Sequence, residues 1–464
     1  MQLIYRLVMP YAPILLLALM LSIPGCASMR TQTKQYVSIL GSIQEEDYDK
    51  AIQTVKLARA NGRYLEKDRV LYYLELGMVY HYAGYYDSSN TALEQADQYM
   101  EDLFTKSVSN IAASFLTNDN VLDYYGEDYE NIYVNVFKSL NYLHLNQFDA
   151  AFVEARRAYI KLGELDRKYG DYARSMAEAE DMKTKAEYKP PVLYDDALAR
   201  YLSLTLYRAD RKPDDARIDR DKISELYSTL PKIYDFPKPE LIDSIALRPA
   251  PLQVMAFTGK APEKYPVSLT ITTYKNWLHI RSSSGEKDKY WLNIPMPVEQ
   301  GYHFKFELPE IKRTGTRVKY IVASVNDSTV GRLEKLEDMQ SVAYATFETR
   351  QSLIMLKTVT RAVVKGLAAA EAKKNIRKNQ EAWVGLLTDA LADAVVDATE
   401  NADVRAWRSM PGFMWVGEFA LEPGSYSLRL DYYDALRQKI ATRVYPQTTV
   451  SAAGVNLIES IVHQ

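Results

Sequence analysis

One cysteine, five histidines and a few runs of adjacent acids are the residues of this 464-residue chain with chemistry in reach. A single thiol, Cys26, rules out an internal disulfide, and it cannot build a thiolate zinc cage. His81, His144, His279, His303 and His463 are scattered, without the His-Glu-x-x-His spacing that puts two imidazoles on one helix face, and they read as packing or surface residues. No Gly-x-Ser-x-Gly elbow occurs, and Gly259-Lys260 lacks the upstream glycine and the hydroxyl residue of a phosphate loop. Asp195-Asp196 and Glu45-Glu46-Asp47 are neighbours in sequence, so on helices they point apart and read as solvated. The chain is therefore expected to be non-enzymatic, with no catalytic residue, no metal site and no cofactor.

Cys26 has a different chemistry in its own context. Arg6 precedes an apolar stretch from Leu7 to Ile23, with small residues where it ends, which is the grammar of a signal peptide over residues 1–25. The alternative is a membrane-spanning helix, but Pro10, Pro13 and Pro24-Gly25 interrupt the roughly 20 apolar residues that would need. Ile23-Pro24-Gly25-Cys26 resembles the lipobox of bacterial lipoproteins. That resemblance implies cleavage before Cys26, acylation of its sulfur and new amino terminus, and, with Ala27 next, export to the periplasmic side of a Gram-negative outer membrane. Helical periodicity starts by Gln35, so residues 26–34 are a tether spanning at most about 30 Å.

The totals narrow the partners. A net charge of −3 and a pI near 6.1 supply no basic field, so nucleic acid is not expected. Tyrosine is over-used, 36 residues against 12 phenylalanines, which suits half-wetted helix faces.

Residues 35–235 carry amphipathic helical periodicity with a recurring signature. Tyr73, Leu76-Gly77, Tyr80, Gly84, Tyr86, Ser89 and Ala96 make one copy, and Ser139, Tyr142, Asn146, Phe148, Ala151, Ala155 and Ala158 make a second. Tyr48, Ala51 and Ala58 fit the end of an earlier copy, and Tyr207, Ala216 and Ile223 fit a later one. The pattern resembles tetratricopeptide (TPR) repeats, in which a ring on one helix drops onto a small residue of its neighbour. Tyr86 and Phe148 stand 62 apart, so extra helix intervenes between copies. The resemblance implies a concave groove lined by Leu71, Leu74, Met78, His81 and Tyr82 in the first copy, and by Tyr133, Val136, Leu140, Leu143 and His144 in the second. Such an apolar, aromatic groove is either open to a partner helix or peptide, or filled by the protein's own extra helices.

A proline-rich linker over 236–251 precedes a change of period. Alternating runs at 252–258, 267–273, 290–294, 303–308, 318–325, 342–347, 413–419 and 425–430 predict an antiparallel β-sandwich-like domain over 252–464. The fold class is thus α+β. Inserted at 352–401 are two alanine-rich helices with charges at i, i+4, i+8: Lys357, Arg361 and Lys365 on the first, Asp389, Asp393 and Asp397 on the second. An antiparallel hairpin would align them rung by rung; the alternative is two solvated faces that do not meet.

Gly126-Glu127-Asp128-Tyr129-Glu130, Val153-Glu154-Ala155-Arg156-Arg157, and Ala402-Asp403-Val404-Arg405-Ala406-Trp407 before Met410-Pro411 together resemble an uncharacterised tetratricopeptide-repeat-containing bacterial lipoprotein family. Glu130, Glu154, Arg156 and Arg157 read as a charged network between helices, and Arg405 with Trp407 as a cation and ring packed together. The function expected is a protein-docking scaffold, anchored to the membrane through its lipid and serving another envelope protein, with peptidoglycan-synthesis or export machinery as natural clients. The alternative is a glycan- or lipid-binding module that uses the tyrosine-rich groove.

Overall fold

The computed structural model describes residues 35–109, 119–179, 193–243, 250–282, 292–295, 300–351, 354–355, 358–359, 361 and 401–464. The signal peptide, Cys26 and the tether lie outside them, as does most of the 352–401 insertion, including Lys357, Lys365, Asp389, Asp393 and Asp397. Arg361 is described and is buried, 2% exposed, rather than on a solvated stripe.

Helices α1 (Gln35–Gln44), α2 (Tyr48–Ala60), α3 (Arg69–Tyr82), α4 (Tyr86–Ser109), α5 (Asp128–His144), α6 (Phe148–Ala179), α7 (Ala197–Ala209) and α8 (Pro213–Thr229) form four consecutive pairs. One turn closes all four. Its middle residue, Glu46, Gly84, Asn146 or Arg211, has positive φ. The next amide reaches back five residues to a carbonyl: Asp47 to Ser42, Tyr85 to Tyr80, Gln147 to Tyr142 and Lys212 to Tyr207. This is a Schellman stop, which satisfies the last carbonyls of the first helix and turns the chain directly into the second. Five residues after each positive-φ position stands a small, fully buried side chain, Ala51, Ser89, Ala151 or Ala216. The helices touch there. Ser89 donates to the Gly77 carbonyl at 2.7 Å and Ser139 to the Ala151 carbonyl at 2.9 Å. A Cβ on Gly77 would fall 2.6 Å from Leu93, so glycine is what permits the approach of α3 to α4.

Beyond the helices the chain is mostly sheet, giving a mixed helix-and-sheet protein. Strands β1 (Leu252–Thr258), β6 (Tyr320–Val325), β7 (Ser328–Asp338), β8 (Phe413–Phe419), β9 (Gly424–Tyr433), β10 (Lys439–Val450) and β11 (Asn456–Val462) form a seven-stranded sheet in the order β10-β9-β6-β7-β8-β1-β11. It is not wholly antiparallel as expected, because β11 pairs with β1 in parallel, Leu252 opposite Asn456. Nor is it one leaf of a sandwich. One apolar cluster takes residues from all seven strands, among them Val254, Ile321, Leu333, Trp415, Leu430, Val450 and Val462, so the sheet curls around its own core. Side chains bring the two ends of the sheet together: Tyr445 of edge strand β10 donates to the Glu459 carbonyl of edge strand β11 at 3.1 Å, and Tyr432 Oη of β9 lies 2.6 Å from Ser460 Oγ of β11.

A second sheet, β4 (Leu292–Pro295), β3 (Trp277–Ser282), β2 (Glu263–Tyr274) and β5 (His303–Lys312), is antiparallel. Its buried face packs with Val359, Ile354 and Met355 of α9, a helix over 339–351 that is also helical at the described positions through 361. The run 342–347, expected to be a strand, lies inside α9. Its Val-Ala-Tyr-Ala-Thr-Phe order alternates, but Asp338 accepts from the Ser341 amide at 3.0 Å and starts a helix instead. The linker is not free. The Glu240 amide donates to Glu334 and the Ile242 amide to Glu418, tying residues 240–242 to β7 and β8.

Candidate functional site: the occupied helical face

The first helix of every pair faces the rest of the chain. Leu71, Leu74, Met78, His81, Tyr82, Tyr133, Val136, Leu140 and Leu143 are all buried, and His144 keeps 19% of its side chain exposed. The positions expected to line a groove are covered by the sheet and the segment before β8. Met255 and Phe257 of β1, Met414 and Val416 of β8, and Trp407 share one core with the helices. Phe137 of α5 meets Phe257 at 5.7 Å and Trp407 at 5.9 Å between ring centroids.

The irregular segment 402–410 lies across this face and is held largely by its main chain. Asn120 donates to the Ala402 carbonyl at 2.8 Å, the Trp407 amide donates to Glu130 at 2.6 Å, the Arg408 amide to Glu75 at 2.9 Å, and Tyr82 donates to the Ser409 carbonyl at 2.7 Å. Side chains then fix the register. Arg405 bonds Asp68 at 3.2 Å, Asp403 at 2.8 Å and the carbonyls of Leu122 and Asp119, and it lies 5.1 Å over the Tyr124 ring. Arg408 stacks 4.8 Å over Tyr36 of α1. The expected pairing of Arg405 with Trp407 is thus replaced: Arg405 takes Tyr124, and Trp407 packs on Phe137.

Burial sets the protonation here. Desolvation pushes Glu75 and Glu130 up to about 7, Glu127 adding to the effect at Glu130. Both act as main-chain acceptors, and Glu130 also accepts from Tyr124 at 2.7 Å and from the Glu127 amide at 3.0 Å, closing the amino end of α5. Asp403 goes the other way. Burial raises it, but the Arg405 charge and hydrogen bonds outweigh that and hold it well below the carboxylate range.

Three strands of the large sheet each aim one buried carboxylate at the helices. Glu337 of β7 accepts from Tyr234 and the Leu198 amide. It lies near Asp196, which caps α7 through the Ala199 amide at 2.8 Å and accepts from Tyr133 at 3.0 Å. Burial, chiefly, raises both of these acids. Asp195 and Asp196 are therefore buried, 5% and 0% exposed, and not solvated, with Asp195 paired to Arg200. Glu418 of β8 takes Tyr201 at 2.9 Å and Arg208 at 2.5 Å. Glu459 of β11 takes His81 Nε2 at 2.7 Å on one oxygen and His144 Nε2 at 2.6 Å on the other. Two histidines read as isolated are thus joined by a carboxylate. His463, also buried, is pushed down to about 3 by desolvation and by Arg443 and Lys260, whereas His279 and His303 lie on the small sheet.

The other polar cluster joins α5 to the second helices α4 and α6. Lys138, 1% exposed, meets Glu154 at 3.0 Å and also bonds Glu94, while Lys161 donates to Asp97 at 2.5 Å and to the Asn131 side chain at 2.8 Å. Glu154 and Arg157 do belong to one network, at 3.3 Å, but Glu130 does not. Glu94, Asp97, Asn131, Arg157 and Lys161 line a cleft of about 570 Å³ between α4, α6 and the 125–128 loop, walled by Met100, Phe104, Ile160 and Leu165. Among the described residues no group of three histidine, cysteine or acidic side chains is arranged to hold a metal ion.

Sequence reasoning missed Glu337, Glu418 and Glu459. The last had a signal: Asn-Leu-Ile-Glu-Ser-Ile-Val is a strand with one acid amid apolar residues, and a buried carboxylate requires donors. No protein-family model matches the chain, and neither a curated protein nor a solved structure matches it.

Proposed function

We propose that this protein is a non-enzymatic docking scaffold of the bacterial envelope, lipid-anchored through Cys26 to the periplasmic side of the outer membrane, with TPR-like helical pairs. The observation that carries the reading is the capture of segment 402–410. Helix faces that hold an extended segment by its amides and carbonyls, with side-chain pockets for register, work as a peptide-docking domain does. In this chain that face serves the protein itself. Contacts with another envelope protein then fall to the outer helices, where Ile160 of α6, 59% exposed, borders the α4–α6 cleft and Val153 of the same helix is 50% exposed. The buried acids near 402–410 support a structural role, since the segment itself engages them: Glu130 and Glu75 accept from the Trp407 and Arg408 amides, and Asp68 and Asp403 from the Arg405 guanidinium.

Site-specific photo-crosslinking in envelopes tests this. A photoreactive residue at Val153 or Ile160 is expected to form a discrete adduct with one envelope protein, one at Tyr82 none, and Cys26→Ser is expected to abolish both the adduct and membrane association. Absence of adducts at the outer positions, with retention of glycan chains by the purified protein, would favour the glycan-binding reading instead.

A further inference from the structure

The Glu459 clasp contains a proton that the hydrogen-bond network locates. Ser89 spends its only hydroxyl proton on the Gly77 carbonyl, at 2.7 Å, so its oxygen faces Asn141 as an acceptor. Asn141 must therefore turn its amide nitrogen toward Ser89 Oγ, at 2.9 Å, and Asn90 Oδ1, at 2.8 Å. That leaves the Asn141 oxygen pointing at His81 Nδ1, 2.6 Å away, and obliges Nδ1 to carry a hydrogen. The other ring nitrogen, Nε2, stands 2.7 Å from a Glu459 oxygen. A neutral ring with its hydrogen on Nδ1 would present a lone pair to that carboxylate. With Glu459 ionised, both contacts are satisfied together only when His81 carries hydrogens on both nitrogens. His144 needs just one, on Nε2, for its 2.6 Å contact.

We infer that the closure of the last strand, β11, onto α3 and α5 is operated by a proton: the clasp forms with an imidazolium at His81 and an ionised Glu459, and it loosens when His81 deprotonates. The surroundings leave these two groups to decide the outcome. Facing them are Tyr82 of α3, Tyr86 of α4, stacked on His144 at 4.3 Å, and Tyr445 of β10, all with pKa values raised by burial. Arg443 is engaged by Glu46. Burial pulls the His81 pKa down, but the Glu459 charge and the bonds from Glu459 and Asn141 outweigh it and leave it raised. Burial likewise pushes Glu459 up, and His81 and His144 hold it well below the carboxylate range. A raised histidine stabilises the closed state fully below its unfolded pKa, about 6.5, and that contribution is lost as pH rises through the folded value. A depressed carboxylate acts above its unfolded pKa of about 4.3, and its contribution is lost as pH falls through the folded value. The clasp therefore holds across the acidic range above that carboxylate and opens toward alkaline pH. This goes beyond the docking reading and holds or fails without it.

The experiment has two arms on the full chain. In the first, the ring nitrogens of ¹⁵N-histidine-labelled protein are followed by NMR, with His81 assigned by loss of its signal in His81→Gln. At pH 6 both nitrogens of His81 are expected to be protonated, and the ring is expected to titrate above 6.5. A neutral ring with hydrogen on one nitrogen at pH 6 would overturn the proposal. In the second, unfolding rates of wild type, His81→Gln and Glu459→Gln are compared from pH 6 to 9. The ratio of variant to wild-type rate is expected to fall toward one as pH rises, by about tenfold for each pH unit by which folding raises the His81 pKa. Taking the ratio cancels the pH response of the other buried acids. A ratio independent of pH would contradict the clasp; should neither variant fold, the first arm decides on wild type alone, with the His81 ring assigned through its correlations to the His81 backbone amide.

Discussion

Arg405 is where buried charge converges on a single side chain. Its guanidinium, 2% exposed, answers Asp68 and Asp403 and two carbonyls from the 119–122 turn, a planar fork matched to several acceptors. Arg405→Ala leaves those acids uncompensated, and urea unfolding should register a loss of about 3–5 kcal/mol. Arg405→Lys should recover only part of it, because an ammonium cannot reach all four acceptors. Glu130 gives a second residue-scale test. Its pKa is raised, so its contribution is fully present below the unfolded carboxyl value and declines as pH rises toward its folded value near 7. Stability should therefore fall between pH 4.5 and 7, with a slope of up to about 1.4 kcal/mol per pH unit from this group. Glu130→Gln, measured by denaturant titration across that window, should flatten the slope.

At the scale of elements, the four helical pairs were the most legible part of the chain. Their boundaries follow from local chemistry: a positive-φ residue, an aromatic or proline two positions on, and a small residue three further, at 46, 84, 146 and 211. Ala151 marks where α5 and α6 touch, and Ala151→Leu should cost about 1–3 kcal/mol by overpacking, while Val153→Ala on the exposed side should stay within about 0.5 kcal/mol. Thermal melts of the two variants make the comparison. The strands were legible where a short, mostly apolar run stands between turn residues, as in β1 and β8, which span the expected 252–258 and 413–419. Alternation misled at 342–347, where the Asp338 cap prevails. It also failed for β7, β10 and β11, whose polar and charged positions break the pattern and are accounted for only by partners distant in sequence: Glu337 by Tyr234, Glu459 by His81 378 positions away.

At the scale of the whole molecule, helices and sheet share one core, and the surface that reads as a docking groove is a buried seam between them. No amount of periodicity distinguishes those cases, because a face built for a partner and a face built for another part of the chain carry the same apolar and aromatic residues. What distinguishes them is the answering sequence. Here it is Ala402 to Met410, a stretch without helical or strand pattern whose arginines and tryptophan are explained only by the pockets they fill. Hydrogen exchange on the full chain measures this occupancy most directly, through the Trp407 and Arg408 amides that donate to Glu130 and Glu75. If the segment seals the helical face, peptides covering 402–410 should exchange as slowly as those of α5 and β8, all opening with the global unfolding of the protein. Exchange of 402–410 as fast as that of the exposed Leu436 loop, while α5 stays protected, would contradict the account and leave the helical face open to a partner.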